Sequence, residues 1–109
     1  VDVRRALESR GYPPGLSGEL TLSIEDDVIE PNSGVWTLRV ENGEAGVEAG
    51  GDEARALACH VRDLAPLYTG HATVAALRSV GRVRCPDGTA RLADAILATP
   101  GPPSMVDMF

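Results

Sequence analysis

A chain of 109 residues with 10 basic and 16 acidic side chains, net charge −6, holds one domain with a modest core. Every basic residue is an arginine, the arginines are scattered, and only four residues are aromatic, which argues against a phosphate-tracking stripe or a base-stacking platform and so against a nucleic-acid partner. No run approaches the roughly 20 apolar residues that span a bilayer, and Val1-Asp2-Val3-Arg4-Arg5 lacks the order of a secretory signal, so a cytoplasmic domain without a membrane span is expected.

Asp2 can cap a first helix over about residues 3–10, with Val3, Ala6 and Leu7 on one face and Gly11 just past its end. Tyr12-Pro13-Pro14-Gly15 stops it. From Glu19 to Glu25 polar and apolar residues alternate, placing Leu20, Leu22 and Ile24 on one face of a half-buried strand. A loop over 26–34 leads to a second alternation with Trp36, Leu38 and Val40 inward. Asn42-Gly43 is a preferred two-residue hairpin turn, and Ala45 and Val47 mark the returning strand. These segments form an antiparallel meander with one wet face.

After the Gly50-Gly51-Asp52 turn, residues 52–57 have helix-forming composition while Leu57, Cys59 and Val61 alternate; a strand over about 55–61 is expected. Asp63 to Tyr68 reads as a short helix capped by Arg62 or Asp63, with Pro66 near its start and Gly70 after its end. Thr73 caps the next helix, in which Val74, Leu77 and Val80 form an apolar stripe ended by Gly81. Arg82 to Cys85 suits a short edge strand. A last helix over about 90–98 carries Leu92, Ala93, Ile96 and Leu97. The expected core is Leu20, Leu22, Ile24, Trp36, Leu38, Val40, Leu57, Val61, Leu64, Leu77, Ile96 and Leu97.

The end of the chain differs in kind. Pro100, Gly101, Pro102 and Pro103 hold the backbone extended, and Met105, Val106, Met108 and Phe109 then call for a surface to bury against. An anchored aromatic would fix the free α-carboxylate beside it, whose unperturbed pKa is roughly 3.5. A carboxylate held in an apolar setting can serve as a general base, whereas a tail packed on its own domain is the plainer reading. Where no partner surface is present, the last few residues are expected to be mobile in solution or docked onto a second copy in a crystal.

Elsewhere the plainer readings prevail. Trp36 suits the core, and Tyr68 suits a packed position with its hydroxyl at the rim. His60 and His71 lack partners at ligand or triad spacing, so both are expected to be satisfied or solvated, and Glu25-Asp26-Asp27 with Glu30 suits a solvated face. Cys59 and Cys85 are expected to be reduced, and no metal-ligand spacing or phosphate-cradling glycine loop is present.

Taken together, the Arg10-Gly11-Tyr12 helix exit, the Trp36-Thr37-Leu38 strand centre, Asp63-Leu64-Ala65-Pro66-Leu67-Tyr68-Thr69-Gly70, Ala76-Leu77-Arg78-Ser79-Val80-Gly81, and a proline-bearing tail ending in Phe resemble one family. It is the C-terminal domain of the enhanced intracellular survival (Eis) type of N-acetyltransferases, which is similar to sterol carrier proteins in fold. The resemblance covers nearly the whole chain. It implies an α+β fold of about five mostly antiparallel strands with helices packed on one face, over residues 1–99, and an extended tail over 100–109.

The resemblance further implies that two acetyltransferase (GNAT) domains of the same parent chain precede this one and that acetyl-CoA binds there, leaving no cofactor in this fragment. The terminal carboxylate, here that of Phe109, would be the general base, and a tyrosine of the missing catalytic domain the general acid. Some members carry an acidic residue just before the terminal Phe. Met108 stands at that position here and Asp107 one step back, so Asp107 and Met108 are the candidate substrate contacts. The isolated fragment would be inactive. A lipid carrier and a purely structural interaction module are the alternatives, and a homo-oligomer stays open.

Overall fold

The structure, a computed structural model, describes residues 3–13, 15–27 and 33–97. Alternation decides the sheet. In β1 (Ser17–Glu25), Leu20, Leu22 and Ile24 are buried, while Glu19, Thr21 and Ser23 face the other way. β2 (Gly34–Glu41) pairs antiparallel with it, Leu20 opposite Leu38 and Leu22 opposite Trp36. Asn42 and Gly43, with φ of 51° and 84°, make the tight turn into β3 (Glu44–Ala49), where Val47 lies opposite Leu38. Two successive positive-φ residues match the twist of a hairpin, which is what Asn-Gly supplies.

The chain then crosses the polar face of the sheet. Gly51 lies so close to it that a Cβ there would sit 2.6 Å from Thr37 Oγ1 and 2.7 Å from Thr21 Cγ2. Thr37 Oγ1 donates to Gly50 O at 2.7 Å and secures the crossing. β4 (Leu57–His60) lies parallel to the end of β1, and β5 (Val83–Arg84) pairs antiparallel with β4. The five strands are ordered β3-β2-β1-β4-β5. One parallel pair among antiparallel ones is the reason for the long crossing, since parallel neighbours cannot share a hairpin.

The helices pack on the sheet: α1 (Val3–Ser9) against β3, α2 (Val61–Thr69) against β4, α3 (Val74–Ser79) against β5 and α4, and α4 (Asp87–Ile96) against β1. The expected α+β class and strand count hold. Ten of the twelve expected core residues are buried; Trp36 and Val61 are half-buried.

Each departure has a local cause. The ambiguous stretch 52–61 splits three ways: Glu53–Arg55 forms a single 3-10 turn, β4 is only four residues long, and Val61 already opens α2. The cap of α2 is His60 rather than Arg62 or Asp63. Pro66 therefore lies well inside the helix, where it removes the N–H that would reach Arg62 O. Val80 falls just beyond α3 and is 69% exposed, so the stripe stops at Leu77. α4 begins at Asp87, three residues before its expected start, because Pro86 provides the fixed φ that leads into it.

Candidate functional site

The residues assigned a chemical role, Asp107, Met108 and the Phe109 carboxylate, lie outside the described residues, as do Asp2 and the expected 100–109 tail with its mobility. What the structure does describe is where the chain stands just before that segment. Ile96 and Leu97 are buried at the end of α4, and Leu97 N donates to Ala93 O at 2.9 Å. The carbonyl of Leu97 faces Arg10.

Arg10 follows α1 and is 5% exposed. Its Nε donates to Tyr68 O at 2.9 Å, one terminal nitrogen donates to Gly11 O at 3.1 Å, and the other to Leu97 O at 3.4 Å. Its guanidinium carbon lies 5.2 Å from the Tyr12 ring centroid and 5.6 Å from that of Tyr68. The Tyr68 and Leu97 carbonyls belong to the C-terminal ends of α2 and α4, and Arg10 itself follows the end of α1. Such ends carry unsatisfied oxygens and partial negative charge, so a buried cation is stabilised there. Burial lowers the Arg10 pKa from its usual value, while the two phenols oppose that shift; the group stays charged. Tyr12 turns its hydroxyl to Leu7 O at 2.6 Å, and burial raises its pKa. Tyr68 is completely buried, not at a rim as expected.

At the opposite end of α2 lies a second polar group. His60 Nδ1 accepts from Arg62 N at 3.1 Å, and His60 Nε2 stands 2.8 Å from Asp27 Oδ1. An accepting Nδ1 leaves the proton on Nε2, which donates to the carboxylate. Hydrogen bonding by His60, ahead of backbone and Coulomb contributions, holds the Asp27 carboxyl below its ordinary value. An open cleft of about 390 Å³ adjoins this pair, lined by Ser23, Glu25, Asp63, Arg82 and Arg84 among others. Asp63, buried, pairs with Arg82 at 3.5 Å. Cys59 is a free thiol pushed up to about 12 by burial, with Asp63 adding to the effect, so it is inert at neutral pH.

A third feature is a cleft of about 630 Å³ beside Glu19–Thr21, bounded by Gly51, Arg55, Pro86, Thr89 and Leu92. Its two arginines are engaged: Arg39 with Glu19 at 3.0 Å and Glu48 at 3.5 Å, Arg55 with Asp52 at 3.8 Å. Cations already matched by carboxylates do not suit the phosphates of coenzyme A. Among the described residues no group of three or more metal-ligating side chains converges, and none of the helices is long and apolar enough to cross a membrane.

Spacing along the chain could not show these groupings. His60 meets a carboxylate 33 positions away, and Arg10 reaches a carbonyl 87 positions away. Asp94 was also missed; it crosses from α4 to accept from Val74 N at 2.7 Å, closing the start of α3 together with the expected Thr73 cap. Asp26, expected on a solvated face, is 8% exposed, and its backbone exchanges hydrogen bonds with Ser33 Oγ at the base of the β1–β2 loop. The one available signal was Arg10-Gly11-Tyr12 itself, an arginine kept directly at a helix exit between a glycine and an aromatic.

A twisted five-stranded sheet with one parallel pair and helices packed on it is the architecture of sterol-carrier-like domains. A family profile described as a sterol carrier protein domain matches residues 3–106, and the chain belongs to that family. It is 39% identical, over its whole length, to 25% of an uncharacterized N-acetyltransferase of Streptomyces avermitilis. The crystal structure of a GCN5-related N-acetyltransferase from Anabaena variabilis is similar over 93% of this chain and 26% of that one, with a TM-score of 0.86 and 36% identity. Eis1 from Mycobacterium abscessus shares the fold, with a TM-score of 0.71 and 24% identity over 92% of this chain and 24% of its own. The chain thus spans about a quarter of the length of these relatives. The expected sterol-carrier-like domain is what the chain forms.

Proposed function

We propose that this chain is the C-terminal domain of an acetyl-CoA-dependent N-acetyltransferase, supplying the Phe109 carboxylate as general base and part of the amine pocket through Asp107 and Met108. The observation that carries the reading is its likeness, at 39% and 36% identity, to about a quarter of proteins named N-acetyltransferases. In this reading the carboxylate takes a proton from the substrate amine as the amine attacks the acetyl thioester. Acetyl-CoA and the general acid belong to the preceding domains of the same chain. An acidic surface (net charge −6) would favour a cationic amine approaching from solvent.

A lipid carrier needs a large apolar lining. Of the two larger clefts described around the sheet, one sets Leu20, Pro86 and Leu92 among Glu19, Arg39, Asp52 and Arg55, and the other is bordered by Arg39, Glu41, Asn42 and Glu44, so charged side chains line both.

The reading requires a coenzyme A-binding domain encoded upstream of Val1 and a stop immediately after Phe109. In the full-length protein, deleting Phe109 or extending the chain past it is expected to lower kcat by ~10² or more, because a positioned base is displaced. Turnover unchanged by either alteration would remove the carboxylate from the mechanism. The 109-residue chain alone is expected to transfer no acetyl group.

A further inference from the structure

Carbonyls at the ends of α2 and α4, 58 and 87 positions away, both accept from the guanidinium of Arg10, as does that of its neighbour Gly11 just past α1. Among the described residues Arg10 is the sole buried arginine. Its charge is permanent, its donors form a rigid planar fork, and the rings of Tyr12 and Tyr68 lie near its carbon. A lysine ammonium lacks the three separate nitrogens with which the guanidinium reaches these carbonyls. The α4 end is already closed along its own axis by Leu97 N to Ala93 O. What Arg10 adds is a lateral hold on the Leu97 carbonyl, the last described point before the segment that continues to Phe109.

We propose that Arg10 is a positioning residue: by tying the Leu97 carbonyl to the ends of α1 and α2, it sets the place and direction from which the C-terminal segment leaves the domain. This rests on the reading that the segment carries the general base, and it assigns to the Arg10-Gly11-Tyr12 exit a role in catalysis at a distance. The contact to Leu97 is the longest of the three at 3.4 Å, and it is the one a shorter or rounder side chain loses first.

The test has two arms. In the 109-residue chain, Arg10→Lys is expected to stay folded by circular dichroism while amide exchange at Leu97 and Ala98 speeds up ~10-fold or more, with β1 and β2 amides unchanged. In the full-length protein the same variant is expected to lower kcat ~10–100-fold with KM for the acetyl donor unchanged, the behaviour of a misplaced base rather than of a lost binding contact. Arg10→Gln, planar but uncharged, is read in the same way if the lysine variant does not fold. Failure of both variants to fold makes Arg10 a plain stability residue and overturns the proposal, as does unchanged exchange at Leu97. Deleting Phe109 in the same assay separates the two ideas. If the deletion abolishes turnover while a folded Arg10 variant retains kcat, the positioning role is wrong; if the deletion has no effect, the general-base reading is wrong and the exchange arm alone decides on Arg10.

Discussion

The two ends of α2 are held by opposite chemistry. At its start, where backbone N–H groups are left over, His60 offers a bare Nδ1 to Arg62 N. At its finish, where carbonyls are left over, Arg10 offers a cation to Tyr68 O, and Gly70 turns the chain away with φ of 78°. The helix dipole favours this order, an acceptor and negative charge at the start and a positive charge at the end. The side chains also differ in ionisation. Arginine is charged at any working pH, whereas histidine serves as a cap only while Nδ1 is unprotonated. Asp27 accepts from Nε2 and so fixes the tautomer of the neutral ring whose Nδ1 is bare, although its own side chain is 75% exposed. A buried cation with three acceptors thus closes one end and a half-buried imidazole with a single cap bond the other, and α2 should respond to them unequally.

The largest effect is expected at the buried end. Arg10→Met keeps the bulk but removes every donor, leaving helix-end carbonyls without their charged partner, at a cost of about 3 kcal/mol in a urea titration. A loss below about 1 kcal/mol would mean that water replaces the guanidinium and that the two ends are equivalent after all.

His60→Ala should cost less, ~1 kcal/mol, the usual value of a lost cap. His60→Asn, whose side-chain oxygen can accept from Arg62 N, should recover most of that loss without restoring the Asp27 contact. If Asn and Ala prove equally destabilising, the pairing with Asp27, rather than the cap, is what His60 supplies.

The smallest effect is the acid dependence of the exposed pair. Because the folded Asp27 carboxyl is held below its ordinary 3.8, chiefly by its hydrogen bond to His60, its contribution is present above that value and is lost as pH falls through the lower folded one. Stability measured between about pH 2 and 4 should therefore fall less steeply in Asp27→Asn than in the parent sequence. Some slope will remain, since Asp87 is likewise held low, first by its hydrogen bond from Arg78. Solvent and salt screen both groups, so this comparison belongs at low ionic strength.

How far the residues alone could be read depended on whether the deciding contact was near in sequence. Leu20, Leu22, Ile24, Leu38 and Val40 announced their strands because alternation is a local pattern that a sheet with one buried face must satisfy. Asn42-Gly43 announced its turn because few dipeptides accept two positive φ values, and Thr73 announced its helix because its hydroxyl bonds three residues on, to Ala76 N at 3.1 Å. Where two local patterns competed, over 52–61, both were partly true and the short 3-10 turn divided them. The Phe109 tail was conspicuous in composition, yet its role depends on surfaces that belong to other domains.

The amino-acid sequence by itself determined the strand faces, the hairpin, most helix stops and the family resemblance, since each depends on side chains within a few positions of one another. Only the tertiary structure decided that β4 lies parallel beside β1, that Asp94 closes a neighbouring helix, that His60 rather than Arg62 caps α2, and that Arg10 gathers three helix ends. Apart from the two-residue His60 cap and the Arg10 bond to its neighbour Gly11, these are contacts across 19 to 87 positions, and no periodicity encodes them. They arise because folding brings unsatisfied helix ends beside side chains of other segments, and the side chain that meets them there is selected by charge and shape, not by distance along the chain.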